Sequence, residues 1–292
     1  MGRSENPAAS SLARGGVEPA PRPILKWVGG KTQLLEQMTP LMPKTYRRYF
    51  EPFVGGAAVF FDLRARHPEV PAFLSDVNAE LVNCYVSVRD SVEAVIAALG
   101  THVYDREHYY AVRAWNPDEL EPAERAARTI FLNKTGYNGL YRVNRSGRFN
   151  VPFGRFTRPM FCDADNLRAC SRALAGVSIK HGDFSTVLRS AKEGDFVYFD
   201  PPYVPVSPTS DFTAYVPGGF GADEQRKLAK VFTKLADRGV SVMLSNSDTA
   251  FVRELYAGFD IQVVYATRSV NSNASRRGKL AEVVVRSYGK TS

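Results

Sequence analysis

Residues 195–203 read Asp-Phe-Val-Tyr-Phe-Asp-Pro-Pro-Tyr. The run Phe196 to Phe199 is apolar and strand-like, and it stops on Asp200. Pro201 and Pro202 lack backbone donors and forbid continuation of strand or helix. Working outward, the same alternation recurs. Downstream come a helix pattern at 223–238, a strand at 240–245, a helix at 250–259, and strands at 260–266 and 281–288. The last two flank a polar loop and read as a terminal antiparallel pair. Upstream lie a strand at 177–181 and a helical stretch at 185–191. Earlier still, Arg48 to Val54 reads as a strand entering a glycine turn, Ala57 to Arg66 as a helix, Ala72 to Ser75 as a strand, and Ala79 to Val88 as a helix. Strands alternating with helices predict an α/β fold.

Residues 85–176 break the alternation. Helical patterns at 91–99, 105–115 and 121–132 precede a loop-like run from Asn133 to Arg158. An inserted helical subdomain interrupting one sheet is the simplest account. Residues 1–23, rich in Gly, Pro, Ala, Ser and Arg, read as a disordered tail and not as a signal peptide. The expected organisation is therefore a tail at 1–23, a core domain at 24–84 and 177–292, and an insertion at 85–176.

With 292 residues and a hydrophobic fraction of 44%, the chain has ample material for a core. No apolar run approaches the roughly 20 residues of a membrane span, so no membrane partner is expected. Cys84, Cys162 and Cys170 form no CxxC pair, and the four histidines are scattered. Neither a disulfide framework nor a metal site follows, and a reducing, cytoplasmic setting is expected. The net charge is +8. Its distribution is more telling than its size. Between Arg125 and Arg158 stand Arg125, Arg128, Lys134, Arg142, Arg145, Arg148, Arg155 and Arg158, with no acid at all. Phe131, Tyr137, Tyr141, Phe149, Phe153 and Phe156 are interleaved. Such a run suits a surface that grips phosphates and touches bases, although a charge run is more commonly a solvated face. Arg268, Arg276, Arg277 and Lys279 form a second acid-free segment.

Four short constellations carry chemistry. Lys26-Trp27-Val-Gly-Gly-Lys31 ends like a phosphate-binding loop, but Leu25 stands where that loop needs glycine, so a nucleotide triphosphatase is excluded. Glu51-Pro-Phe53-Val-Gly55-Gly56 places glycines at a strand-to-helix turn, where backbone can approach a ligand. Asp76 follows Gly56 by twenty residues and closes the second strand, in position to accept from a ribose diol, although it could also cap a helix. Asp200-Pro201-Pro202-Tyr203 holds a carboxylate and a proline carbonyl as fixed acceptors beside an aromatic face. That arrangement fits a planar ring bearing an exocyclic amino group.

With these residues assembled, the sequence resembles the Dam-type DNA adenine-N6 methyltransferases, which depend on S-adenosylmethionine. The likeness runs from Ile24 to Tyr288. It includes the stretches at 25–31, 50–56, 75–82 and 182–184, DPPY, DFTAY at 211–215, SNSD at 245–248, residues 268–279, and 132–154 as a target-recognition segment. The resemblance implies a Rossmann-like methyltransferase sheet with a terminal hairpin. It implies cofactor contacts from Trp27, Lys31, Phe53, Gly55, Gly56, Asp76 and Asp183, with Asp200 between cofactor and target base. Asp200, Pro201, Pro202 and Tyr203 would be the catalytic set, with no metal. Lys26, Leu140, Arg142 and Pro152 match positions that read a GATC site, and Tyr137 and Asn138 match residues that fill the gap left by an extruded base. Arg155 is expected to join them on double-stranded DNA. The family's turn often ends in a further glycine, where this chain has Ala57. A monomer is expected, and a partner restriction endonuclease acting on the same site would fit this class. Alternatives at this level are an RNA adenine or DNA cytosine-N4 methyltransferase, a non-catalytic DNA-binding protein on the same scaffold, and a protein–protein adaptor.

Overall fold

The computed structural model describes residues 20–205, 219–267 and 279–289. In chain order its longer elements are α1 (Leu35–Met38), β1 (Tyr49–Glu51), α2 (Ala58–Arg66), β2 (Ala72–Asp76), α3 (Ala79–Gly100), α4 (Arg106–Ala114), α5 (Pro122–Thr135), α6 (Ala164–Leu174), β3 (Ser178–His181), β4 (Phe196–Phe199), α7 (Ala222–Ala236), β5 (Ser241–Ser247), α8 (Ala250–Leu255), β6 (Asp260–Thr267) and β7 (Lys279–Arg286). One seven-stranded sheet runs in the order β3-β2-β1-β4-β5-β7-β6. The first five strands are parallel, and β7 pairs antiparallel with both β5 and β6. The chain therefore steps from β1 to β3 on one side and restarts with β4 on the other side of β1. That reversal opens a crevice at the carboxyl ends of β1 and β4, where open α/β sheets bind ligands.

The α/β expectation and the terminal antiparallel pair hold. β4 is fully buried at all four positions, as a central parallel strand requires. Two apolar clusters cover the two faces. One gathers α2, α3, α5 and α6 with Tyr49, Leu74 and Tyr198. The other gathers α7 and α8 with Phe50, Val197 and Phe199. No helix among the described residues is long and apolar enough to cross a membrane.

Several local expectations are corrected. The helices expected at Ala79–Val88 and 91–99 are both present; they follow one another within α3 and are separated by a non-helical Ser91 (φ −147°, ψ 44°). The boundary drawn at 84/85 thus falls inside one helix, which packs on β2, β3, α5 and α6 and serves both parts of the chain. Residues 185–191 form a 3-10 turn, not an α-helix. The tail ends before Arg22, whose backbone exchanges hydrogen bonds with Asn166 at 2.9 and 3.1 Å. The loop-like run folds back on itself: Gly136 bridges Phe153, Val143 bridges Phe149, and the Asn144 side chain caps the tip.

The basic run also divides. Arg128 is 4% exposed, and its guanidinium donates to the carbonyls of Val112 and Arg113 at 3.0 and 2.9 Å, closing the end of α4. Arg125 pairs with Glu80. Phe131, Tyr141 and Phe149 are core residues. Only part of the run faces solvent, because α5 turns its first cations inward. Arg128→Met should lower the unfolding free energy by about 1–3 kcal/mol, since two carbonyls lose their donor. Urea denaturation checks this, and a variant as stable as the parent would return Arg128 to the exposed surface.

Candidate active site

Asp200 leaves β4 at the crevice, and its carboxylate oxygen lies 2.7 Å from Lys31 Nζ. The Lys31 side chain is 3% exposed. Its ammonium also donates to the Gly29 carbonyl and sits 4.7 Å from the centre of the Tyr203 ring. Burial pushes the Asp200 carboxyl up to about 6; Lys31 opposes this and Glu282 adds to it. Glu51, at the end of β1, is 2% exposed and accepts from the Tyr49 hydroxyl at 2.8 Å. Burial pushes its carboxyl well above the usual range; Tyr49 opposes that shift and the charge of Asp200 reinforces it. The Tyr203 hydroxyl donates to Glu282 at 2.7 Å.

Beside this centre lies the glycine turn. Gly55 has φ +44°, and a Cβ there would stand 2.9 Å from the Trp27 ring. The glycines thus admit Trp27 against the turn, and Trp27 in turn meets Tyr141 of the insertion at 5.4 Å. Ala57 takes the left-handed conformation (φ 56°) as the residue before α2. The chain accepts there a strain of roughly 1–2 kcal/mol that glycine avoids. Asp76 accepts from the amides of Gly55 (3.2 Å) and Asn78 (2.9 Å). Burial raises its carboxyl to about 6, with those amides opposing. Each carboxylate oxygen accepts more than one bond, so the pair retains capacity for two hydroxyls.

Asp183 ends β3. Burial works to raise its carboxyl, but the Ser185 hydroxyl and amide and the Lys227 ammonium (3.1 Å) prevail and hold it below the usual range. Phe53 packs between Phe184 (5.2 Å, stacked), Phe199 and Phe220. Two carboxylates, an aromatic box and a close backbone turn line one crevice. That donor set fits a nucleoside carrying a positive charge.

On the insertion side, Asn133 is fully buried and accepts from the Lys26 amide at 2.8 Å. It also donates to the carbonyls of Lys26 and Gly139, both at 2.9 Å. Gly139 has φ +64°, and any Cβ would strike the Lys26 side chain at 2.3 Å. Lys26 Nζ lies 4.6 Å over the Phe156 ring. Tyr137 is 53% exposed, Asn138 is left-handed (φ 55°), and the Tyr137 amide donates to the Pro152 carbonyl. Arg142 is exposed and donates to the Asn150 side chain at 2.8 Å. Leu140 packs partly on the core, and Arg155 is exposed. Lys26, Gly139, Phe156, Tyr137 and Pro152 thus gather around one corner of the insertion. The stretch 211–215 and the cations Arg268, Arg276 and Arg277 lie outside the described residues, as does the Lys279 side chain.

Residues 27–270 match the family model of the D12 class N6 adenine-specific DNA methyltransferase. The chain belongs to this family. Relatives support the same assignment. A Type II methyltransferase of Lactococcus lactis subsp. cremoris is 42% identical over 92% of this chain and 96% of its own length. A Type II methyltransferase of Methanocaldococcus jannaschii is 41% identical over 91% and 99%. A DNA adenine methylase of Escherichia coli is 34% identical over 90% and 94%.

Around this centre the D12-class chain also places buried polar residues to which the sequence reading gave no role. Glu51 lay within a noted motif but reads there as a strand end. Gln225, Asn246 and Glu282 are buried polar side chains in α7, β5 and β7, around the DPPY loop. Glu282 interrupts an otherwise apolar strand and Asn246 lies in the stretch 245–248 noted above, whereas Gln225 sits in a polar helix pattern and gave no signal. For Asp200, the ionised carboxylate is the accepting form. The rate of a single methyl transfer should therefore fall about tenfold per pH unit below about 6 and stay level above it. Lys31→Met removes the opposing cation and should move that limb to higher pH, measured at saturating methyl donor and DNA. A limb that stays in place would separate Lys31 from Asp200.

Proposed function

We propose that this D12-class enzyme methylates adenine N6 within GATC in duplex DNA, drawing on S-adenosylmethionine. The observation that carries the reading is the DPPY loop at the β1/β4 crevice. Its Asp200 carboxylate is fixed by Lys31, and among the described residues no donor meets the carbonyl of Pro201. When bound, S-adenosylmethionine supplies an electrophilic methyl on a sulfonium. Asp76 would hold its ribose hydroxyls, Asp183 and the Phe53 box its adenine, and Trp27, Gly55 and Gly56 the adjoining turn.

The chain's own residues would do the rest by position. The lone pair of adenine N6 is delocalised into the ring and is a poor nucleophile. Asp200 and the Pro201 carbonyl would each accept a hydrogen bond from one amino N–H, drawing the nitrogen toward a tetrahedral arrangement with its lone pair aimed in line; methyl transfer leaves the nitrogen cationic, and one of its protons is then lost. Tyr203, held at its hydroxyl by Glu282 and on one face by Lys31, offers its other face to the extruded base. Extrusion costs a few kcal/mol of stacking, offset by that face and by Tyr137 and Asn138 filling the gap. Catalysis of this kind rests on orientation and fixed electrostatics. Lys26, Leu140, Arg142 and Pro152 would read the site, and Arg155 would contact the backbone. The reading places a monomeric enzyme in the cytoplasm, and the Type II names of two relatives support a restriction endonuclease acting on the same sequence.

Labelled methyl transfer to two duplexes, one with GATC and one with its adenine replaced, tests the reading. Incorporation into the first alone is expected; incorporation into both removes the site assignment. Asp200→Ala should abolish turnover with folding intact. Arg142→Ala should relax base choice at one position by ~1–3 kcal/mol, whereas a uniform loss on all sequences would make it a phosphate contact.

A further inference from the structure

A loop of sequence Asp-Pro-Pro-Tyr has a donor problem. Two of its residues have no N–H, so it offers carbonyls and almost no backbone donors with which to fix itself. Donors from elsewhere must hold it. The structure supplies them from the buried Gln225 and Ser247, with the buried Asn246 tying Gln225 to the Val204 amide. Gln225, at the start of α7, donates its Nε2 to the Pro202 carbonyl at 2.9 Å. Its Oε1 accepts from Asn246 Nδ2 at 3.0 Å. Asn246 Oδ1 accepts the amides of Val204 (3.1 Å) and Ser247 (2.8 Å). Ser247 Oγ donates to the Val204 carbonyl at 2.7 Å. Gln225 is 1% exposed, Asn246 0% and Ser247 5%.

We propose that Gln225, Asn246 and Ser247 form a positioning relay that orients the DPPY loop, aiming the Pro201 carbonyl and the Asp200 carboxylate at the target amino group. This inference rests on the roles proposed above for Asp200 and Pro201. The direction of every bond is fixed. Pro202 and Val204 offer carbonyls, so the Gln225 amide and the Ser247 hydroxyl must donate. Asn246 must then present its NH2 to Gln225 and its oxygen to Val204. The carbonyls at 202 and 204 are engaged, whereas the one at 201 meets no donor among the described residues. Replacing an amide by a carboxylate keeps shape and volume but turns a donor into an acceptor facing an acceptor. Gln225→Glu should therefore push the loop from its position, as should Asn246→Asp.

The test is single-turnover methyl transfer by the full-length protein from labelled S-adenosylmethionine to a GATC duplex, with the active fraction read from the amplitude. Gln225→Glu and Asn246→Asp are expected to lower the rate constant by about 100-fold, the scale of a misplacement near 1 Å. Affinities for cofactor and DNA, read by calorimetry and gel shift, should stay within about threefold of the parent. The double variant should lose little more than the worse single one, because both act through one chain of bonds. Ser247→Ala, a smaller change, carries the same test if the carboxylate variants do not fold. A lower amplitude with an unchanged rate constant would mean a purely structural role and overturns the relay. So would parental rates in all three variants while Asp200→Ala is inactive. Full activity of Asp200→Ala overturns the site assignment instead, and the relay with it.

Discussion

The Lys31–Asp200 ion pair joins the segment ahead of β1 to the end of the central strand β4 at the crevice, and the surrounding geometry follows from the need to keep it there. An ion pair taken out of water gains only when its remaining hydrogen-bonding capacity is met. Lys31 meets its own through the Gly29 carbonyl and the Tyr203 face. Asp200 is held less completely, and burial leaves its carboxyl near 6. Glu51 lies close enough to feel both charges, and burial favours its neutral acid. The centre therefore sets an ammonium beside a carboxylate that is anionic at neutral pH but loosely so. A cationic ligand and an amino group seeking acceptors both suit such a site.

The architecture was legible because parallel strands announce themselves. The run Phe196 to Phe199 is apolar throughout, and its stop is written in two prolines. The glycine turn and Asp76 follow the same logic, with strand ends marked by residues that strands disfavour. Regions shaped by tertiary contact were not legible. The break at Ser91 falls between the two helical patterns read at 79–88 and 91–99, but nothing in the sequence shows that both run on as one element, α3, serving both parts of the chain. The run from Arg125 to Arg158 counted eight cations. A count along the chain carries no information about facing, and α5 turns Arg128 into the core while Arg125 finds Glu80. Ala57 was visible as a departure from the family's glycine, and the structure shows the consequence as a left-handed alanine in the turn.

The site's supporting polar groups were hidden for a further reason. Asn133, Gln225 and Asn246 matter through the direction of their amides, and direction is a property of the assembled fold. Asn133 ties the backbone of Lys26 to that of Gly139. It thereby docks the segment bearing Lys31 against the insertion bearing Tyr137. One buried amide thus links the proposed cofactor side of the site to its proposed DNA side, across about a hundred residues of chain. No local pattern could disclose that linkage.

The same reasoning explains why the terminal hairpin belongs to the active centre. β7 is last in sequence yet slots between β5 and β6, with Glu282 opposite Ser247 in register. That placement brings a carboxylate to the Tyr203 hydroxyl. Lys31 reaches the other part of the same loop from before the first strand. The DPPY loop is therefore braced from both ends of the chain, and the brace from Glu282 exists only once β7 has joined the sheet. A partly folded sheet could contain β4 and its prolines and still present no ordered acceptors. Under the proposed roles, coupling the loop's acceptors to β7 ties the chemistry to the finished sheet, and this follows from where Glu282 lies in the sequence relative to the strand it serves.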